Sequence, residues 1–334
     1  MRLAVRFATT LLRGASQVYL QNHPATGALF LLAIAWAAAS GHDLDIIIGA
    51  VVGLAVGTVT AILLDVEVGS VGQGLYGFNA LLTGIALPTF LPNTAHLWIL
   101  LVAGTAVTAI ITLAIGNIAQ EWGVPPLTSP FVLTTWLLLL AAYQFRNAHA
   151  ASLGPPRLPS PIDAHAAHAN LTPGSFCAAV LRGVAQVSLL DNWGSGLFIL
   201  AGLAVSSAWA AVYALGGSLV ATLYALWVGA DAGLTTKGLY AFSAVLTAVA
   251  LGTVFYPVTG RTAVYALLGT LFAVVVQAAL DTALSPVGVA TLTAPFVVAT
   301  WLFLIPARDH APIIGHTRLR DRLLSPHDGP PPES

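Results

Sequence analysis

Gly74-Leu75-Tyr76-Gly77-Phe78-Asn79-Ala80-Leu81-Leu82-Thr83 returns, 164 residues further on, as Gly238-Leu239-Tyr240-Ala241-Phe242-Ser243-Ala244-Val245-Leu246-Thr247. Two more pairs flank it in the same order. Leu12-Arg13-Gly14-Ala15-Ser16-Gln17-Val18 matches Leu181-Arg182-Gly183-Val184-Ala185-Gln186-Val187 at an offset of 169. Leu127-Thr128-Ser129-Pro130-Phe131 with Trp136 matches Leu292-Thr293-Ala294-Pro295-Phe296 with Trp301 at an offset of 165. The drift between offsets is the size of a loop change. Chance similarity between apolar segments does not keep Arg-Gly, Gln-Val, Thr and Pro in register, so the chain reads as two similar halves.

The solvent of these halves follows from composition. Of 334 residues, 57% are hydrophobic and 7% charged, against about 25% charged in a soluble domain. The mean hydropathy is +0.86. Apolar stretches of about 20 residues, the length a bilayer requires, fill most of the sequence. Backbone groups in lipid must be satisfied within the segment, so the stretches are helices rather than open strands. The first half shows five, over 24–41, 44–64, 71–91, 96–118 and 127–145, and the second repeats them over 194–209, 210–230, 236–256, 261–280 and 292–306.

Two shorter segments, 5–21 and 175–190, each carry an arginine near the middle, which costs several kcal/mol in a spanning helix. They read as re-entrant half-helices that stop inside the membrane. The fold class is therefore all-α and integral to the membrane. It has ten transmembrane helices plus two half-helices in two repeats, 1–146 and 174–307. Residues 147–173, rich in Pro, His and Asn, are the linker, and 308–334 are a solvated tail. Five spans per half make the second repeat inverted relative to the first, a design that puts a substrate site at the interface of the repeats. Arginines flank both ends of the chain and favour cytoplasmic termini. The N-terminal segment lacks the clean apolar run of a signal peptide, because Arg13 interrupts it. Cys177, the single cysteine, excludes an internal disulfide and reads as a small core residue.

Absences narrow the function. Eleven arginines and one lysine are spread along the chain, so no basic patch suits nucleic acid. Active carriers and proton pumps place Asp, Glu or His inside the membrane; here nearly all fall in loops or at span ends. No mid-span histidine pair suggests an ammonium channel, no Asn-Pro-Ala pair an aquaporin, and no nucleophile with a paired base an enzyme. No cofactor is implied. A pathway without charges suits a neutral solute moving down its own gradient.

The repeated polar residues say how. Gln17 and Gln186 each end a short half-helix, and a glutamine buried in a membrane is costly unless bonded. Phe78 and Leu82, like Phe242 and Leu246, are spaced i, i+4 and share one helix face. Thr128 and Thr293 each stand two residues before a proline that frees a backbone carbonyl. Each feature alone fits helix packing; recurring in both halves, they describe a slot. Phe, Leu and Val walls admit a flat molecule and reject hydrated ions, while glutamine and carbonyl oxygens accept its N–H groups and threonines line the middle.

The Leu-Arg-Gly-x-Ser-Gln-Val segment with Asn22 following, Gly-Leu-Tyr-Gly-Phe-Asn-Ala-x-Leu-Thr-Gly from Gly74, and Pro-x-Leu-Thr-x-Pro-Phe with Trp136 together resemble urea transporters, and the likeness covers nearly the whole chain. It implies passive urea transport in the cell membrane, by a homotrimer with one pore per subunit. It implies an outer site from Gln17, Val18 and Phe78, a second from Gln186, Val187 and Phe242, and a constriction from Leu82, Leu246, Thr128 and Thr293. Other small neutral amides or urea analogues fit the same slot, and ion-coupled transport lacks a titratable group. The Ala- and Arg-rich, Lys-poor composition suggests a bacterial-type chain. The sequence departs from the family after Gln-Val, where Asn-Pro is usual: it reads Asn22-His23-Pro24 in one half and Asp191-Asn192-Trp193 in the other.

Overall fold

A computed structural model describes residues 2–144, 157–159 and 171–308. Most of the inferred linker and tail lie outside them. All regular structure among the described residues is helical. The first half runs α1 (Arg2–Gln17), α2 (Pro24–Gly41), α3 (Asp45–Leu63), α4 (Val68–Gly72), α5 (Gly77–Phe90), α6 (Ala95–Glu121) and α7 (Ser129–Ala142). The second runs α8 (Pro173–Ala185), α9 (Trp193–Ser206), α10 (Ala208–Trp227), α11 (Ala232–Thr236), α12 (Phe242–Val249), α13 (Gly260–Leu284) and α14 (Ala294–Leu304). Each helix of the first seven has a counterpart in the second seven.

Five helices are long and apolar enough to cross a membrane: α2, α3, α6, α10 and α13; a sixth span arises if α8 and α9, bent by 72° at their junction, are counted as one. Four other predicted spans hold helices too short to cross alone. α5 and α7 have 14 residues each, about 21 Å at the α-helical rise, against a hydrocarbon core of ~30 Å. α14 has 11 residues, and α12 has eight, prolonged by a π-helical turn over Ala250–Val254. The reason lies in the residues just upstream. The chain unwinds at Gly74 and Gly238 (both φ +76°) and at Leu127 and Leu292 (φ 52° and 49°), so the helix starts late. Non-helical backbone is tolerated at membrane depth only where protein or a cavity surrounds it.

Burial agrees with that condition. α5 is buried at every residue from Gly77 to Pro88, and α12 throughout. These two are the centre. The long helices form a jacket that turns apolar side chains such as Leu32, Ile48, Ile99, Val264 and Leu268 outward. The close approach expected of the small residues on α5 is present: a Cβ on Gly49 or Gly53 of α3 would land on the carbonyl of Gly84 or Ala80.

The halves meet along α2 and α9. Thr26 Oγ1 donates to the Gly202 carbonyl (2.8 Å), and Ser195 Oγ donates to the Ala33 carbonyl (2.7 Å). The start of α2 therefore touches the end of α9, the start of α9 touches the middle of α2, and the pair runs antiparallel. The departures from Asn-Pro are absorbed as caps: His23 Nδ1 faces the Thr26 N–H (3.4 Å) and Asn192 Oδ1 that of Ser195 (3.1 Å), the usual N-cap bond. One expectation fails. Cys177 is exposed on α8, because it lies near the start of that helix, whose burial begins only at Ala179.

Candidate functional site

The site grows from the ends of α1 and α8. Arg13 Nη1 donates to the Gly72 carbonyl (3.3 Å) and Arg182 Nη1 to that of Thr236 (3.2 Å). Each arginine thus closes the C-terminal end of a five-residue helix, where a cation complements the exposed carbonyls. These bonds meet part of the cost of a mid-segment arginine, while Arg13 Nε stays buried without a hydrogen-bond partner among the described residues. In the second half Arg182 also pairs with Asp191 (3.2 Å). Gly74 and Gly238 let these pieces touch, since a Cβ on either would sit on the backbone nitrogen of Gly14 or Gly183.

Gln17 is the last residue of α1, and Gln186 follows α8 directly. Gln17 Nε2 donates to the Gln73 carbonyl (3.1 Å) and Gln186 Nε2 to that of Lys237 (3.0 Å). A carbonyl can only accept, so each amide must turn its nitrogen inward. Oε1 is left on the opposite side of each amide. The turns that follow place Leu20 and Leu189 in the left-handed region (φ 60° and 58°).

The wall is one continuous apolar cluster drawn from both halves. Val18, Phe78, Leu82, Val187, Phe242 and Leu246 all belong to it. Leu82 and Leu246 are completely buried, while Phe78 and Phe242 keep 6% and 5% exposure. The phenylalanines are therefore the wall residues nearer solvent.

The threonines meet. Thr293 Oγ1 donates to Thr128 Oγ1 at 2.7 Å. Thr128 and Thr293 are the N-caps of α7 and α14, yet neither makes a side-chain capping bond. Two helix N-termini thus converge on one hydrogen bond. Trp136 Nε1 donates to the Ala290 carbonyl (2.9 Å), and Trp301 Nε1 to that of Pro125 (2.8 Å). Each tryptophan holds the loop that presents the other half's threonine. Asn79 holds the first loop from within its own half. Its Nδ2 donates to the Leu127 carbonyl (3.2 Å), and its Oδ1 accepts from the Phe131 N–H (3.4 Å).

All ten candidate residues thus lie on the helix ends and buried helices of one central region. Sequence reading did not assign three supporting roles. Trp136 and Trp301 were visible as a repeated pair without a partner. Tyr19, whose hydroxyl donates to the Val184 carbonyl (2.8 Å), has Ser188 as its counterpart and leaves no repeat signal. Gln277 likewise leaves no repeat signal, since a threonine stands at the matching position of the first half. Among the described residues no group of three or more His, Cys, Asp or Glu could hold a metal ion.

Comparison with known proteins follows the same lines. The sequence model of the urea transporter family matches residues 8–308. Urea transporter 1 of Ovis aries is 29% identical over 310 residues, covering 90% of this chain and 77% of that protein. Urea transporter 1 of Mus musculus is 28% identical over 313 residues, covering 91% and 78%.

Proposed function

The chain belongs to the urea transporter family, and from that premise we propose that it carries urea down its gradient across the cell membrane through a narrow, passive slot. The observation that carries the reading is the Thr293–Thr128 bond (2.7 Å). It closes two helix N-termini from opposite halves inside an apolar wall. Urea offers four N–H donors and one carbonyl. Gln17 Oε1 and Gln186 Oε1 accept its N–H groups at the two ends, beside the flat faces of Phe78 and Phe242 with Val18 and Val187. Leu82 and Leu246 then strip the remaining water. Thr128 and Thr293, able to donate and accept, replace it in the middle. The N-terminal ends of α7 and α14 carry partial positive charge, and their convergence disfavours a cation at the constriction.

The same premise supports an architecture of ten membrane-crossing segments, several of them broken, and two re-entrant half-helices, α1 and α8. The antiparallel pairing of α2 with α9 supports two inverted repeats, 1–146 and 174–307, around a central pore. Assembly as a homotrimer with cytoplasmic termini follows from the family likeness and the arginine distribution.

Stopped-flow light scattering on liposomes holding the purified protein tests the function. Urea uptake should far exceed that of empty liposomes and ignore imposed proton or sodium gradients. It should fall in a Thr128→Val/Thr293→Val variant. Uptake no faster than in empty liposomes would sink the assignment and point to formamide and acetamide as the next solutes.

A further inference from the structure

The two halves differ where each ties its wall helix to its threonine loop. In the first, Asn79 next to Phe78 spans the gap alone. In the second, the counterpart is Ser243, too short to reach. Gln277 of α13 fills the gap. Its Oε1 accepts from Ser243 Oγ (3.3 Å), and its Nε2 donates to Thr291 Oγ1 (2.6 Å) and faces both carboxylate oxygens of Asp281 (3.1 Å each). The Thr291 carbonyl accepts the N–H of Ala294 (3.2 Å), the first residue of α14. The first-half counterparts of Gln277 and Asp281 are Thr112 and Gly116, and Thr112 only bonds back to the Thr108 carbonyl (2.8 Å).

Gln277 is buried within a spanning helix, where an amide is costly unless fully bonded. Its bonds run from the residue after Phe242 to the residue two before Thr293. We infer that Gln277 is a positioning residue for Thr293, doing from α13 what Asn79 does from α5. The Asp281 carboxylate can only accept, so it turns the amide with nitrogen toward Thr291 and oxygen toward Ser243. The tether fixes the spacing between the Phe242–Leu246 wall and the threonine hydroxyl. The inference deepens the urea slot reading and rests on it for its consequence in transport.

Full-length wild type, Gln277→Leu, Thr291→Val and the triple Ser243→Asn/Gln277→Thr/Asp281→Gly, which copies Asn79, Thr112 and Gly116, are compared in two measurements. The first is hydrogen exchange by mass spectrometry across residues 289–300. The second is the ratio of N-methylurea to urea uptake in liposomes. Loss of one buried bond should speed exchange in that segment about tenfold in Gln277→Leu and Thr291→Val, with the rest of the chain unchanged. The uptake ratio should move about threefold in both, and the triple should return both readings to within about twofold of wild type. Unchanged exchange and ratio in both variants would overturn the tether. So would exchange that rises evenly along the chain, or a triple no closer to wild type than Gln277→Leu. Wild type that admits no urea would remove the transport reading, while the exchange data would still decide the tether.

Discussion

Thr128 and Thr293 are each other's partner, and this makes their contributions inseparable. Replacing one by valine leaves the other hydroxyl unpaired in a dry site, which costs about 1–3 kcal/mol. Each single variant should therefore slow urea uptake about tenfold, and the double should fall well short of the product of the two. Effects that multiply would mean that the hydroxyls act independently. These threonines were legible in the sequence because a polar residue repeated at membrane depth needs a reason. The leucines beside them were not. Leu127 and Leu292, like Leu20 and Leu189, adopt positive φ, a conformation that costs a non-glycine residue roughly 1–2 kcal/mol. No local preference announces it. Only the surrounding contacts enforce it, among them the bond from Asn79 to the Leu127 carbonyl.

Among elements, the short helices matter most, and their ends are set by packing. Gly74→Ala and Gly238→Ala would drive a methyl group into backbone at Gly14 and Gly183, whereas Gly72→Ala enters open space. The first two should abolish recovery of monodisperse protein after purification, and Gly72→Ala should leave recovery unchanged. Equal tolerance of all three would mean that the α1–α4 and α8–α11 junctions can move apart. The tryptophan bonds predict a milder effect. Trp136→Phe and Trp301→Phe keep most of the ring and lose one donor each, about 1 kcal/mol, so each should lower the melting temperature by roughly 1–3 °C. The sequence marked these segments as apolar and of spanning length, which holds for α2, α3, α6, α10 and α13. Hydropathy averages over a window and does not register the unwound residues between α4 and α5 or before α7. Predicted spans there became broken ones.

For the molecule as a whole, the distribution of charge decides what kind of transport the fold can support. None of the ten candidate residues titrates near neutral pH. Among the described residues the acids stand at helix ends or in the adjoining turns, except Asp281, three residues inside the end of α13. Its carboxylate faces Gln277 and Thr291, neither of them a residue of the proposed wall. Coupling to protons requires a group in the pathway that changes charge as the solute moves, and none of the ten candidate residues is such a group. Urea flux at equal urea gradient should therefore be flat from about pH 6 to 8 and identical with and without a proton gradient. A flux that rises or falls across that window, and becomes flat in Asp281→Asn, would bring the carboxylate into the pathway. The second half would then be the coupled one, because its counterpart in the first half is glycine and cannot titrate. The slot would no longer be a passive filter with two equivalent ends.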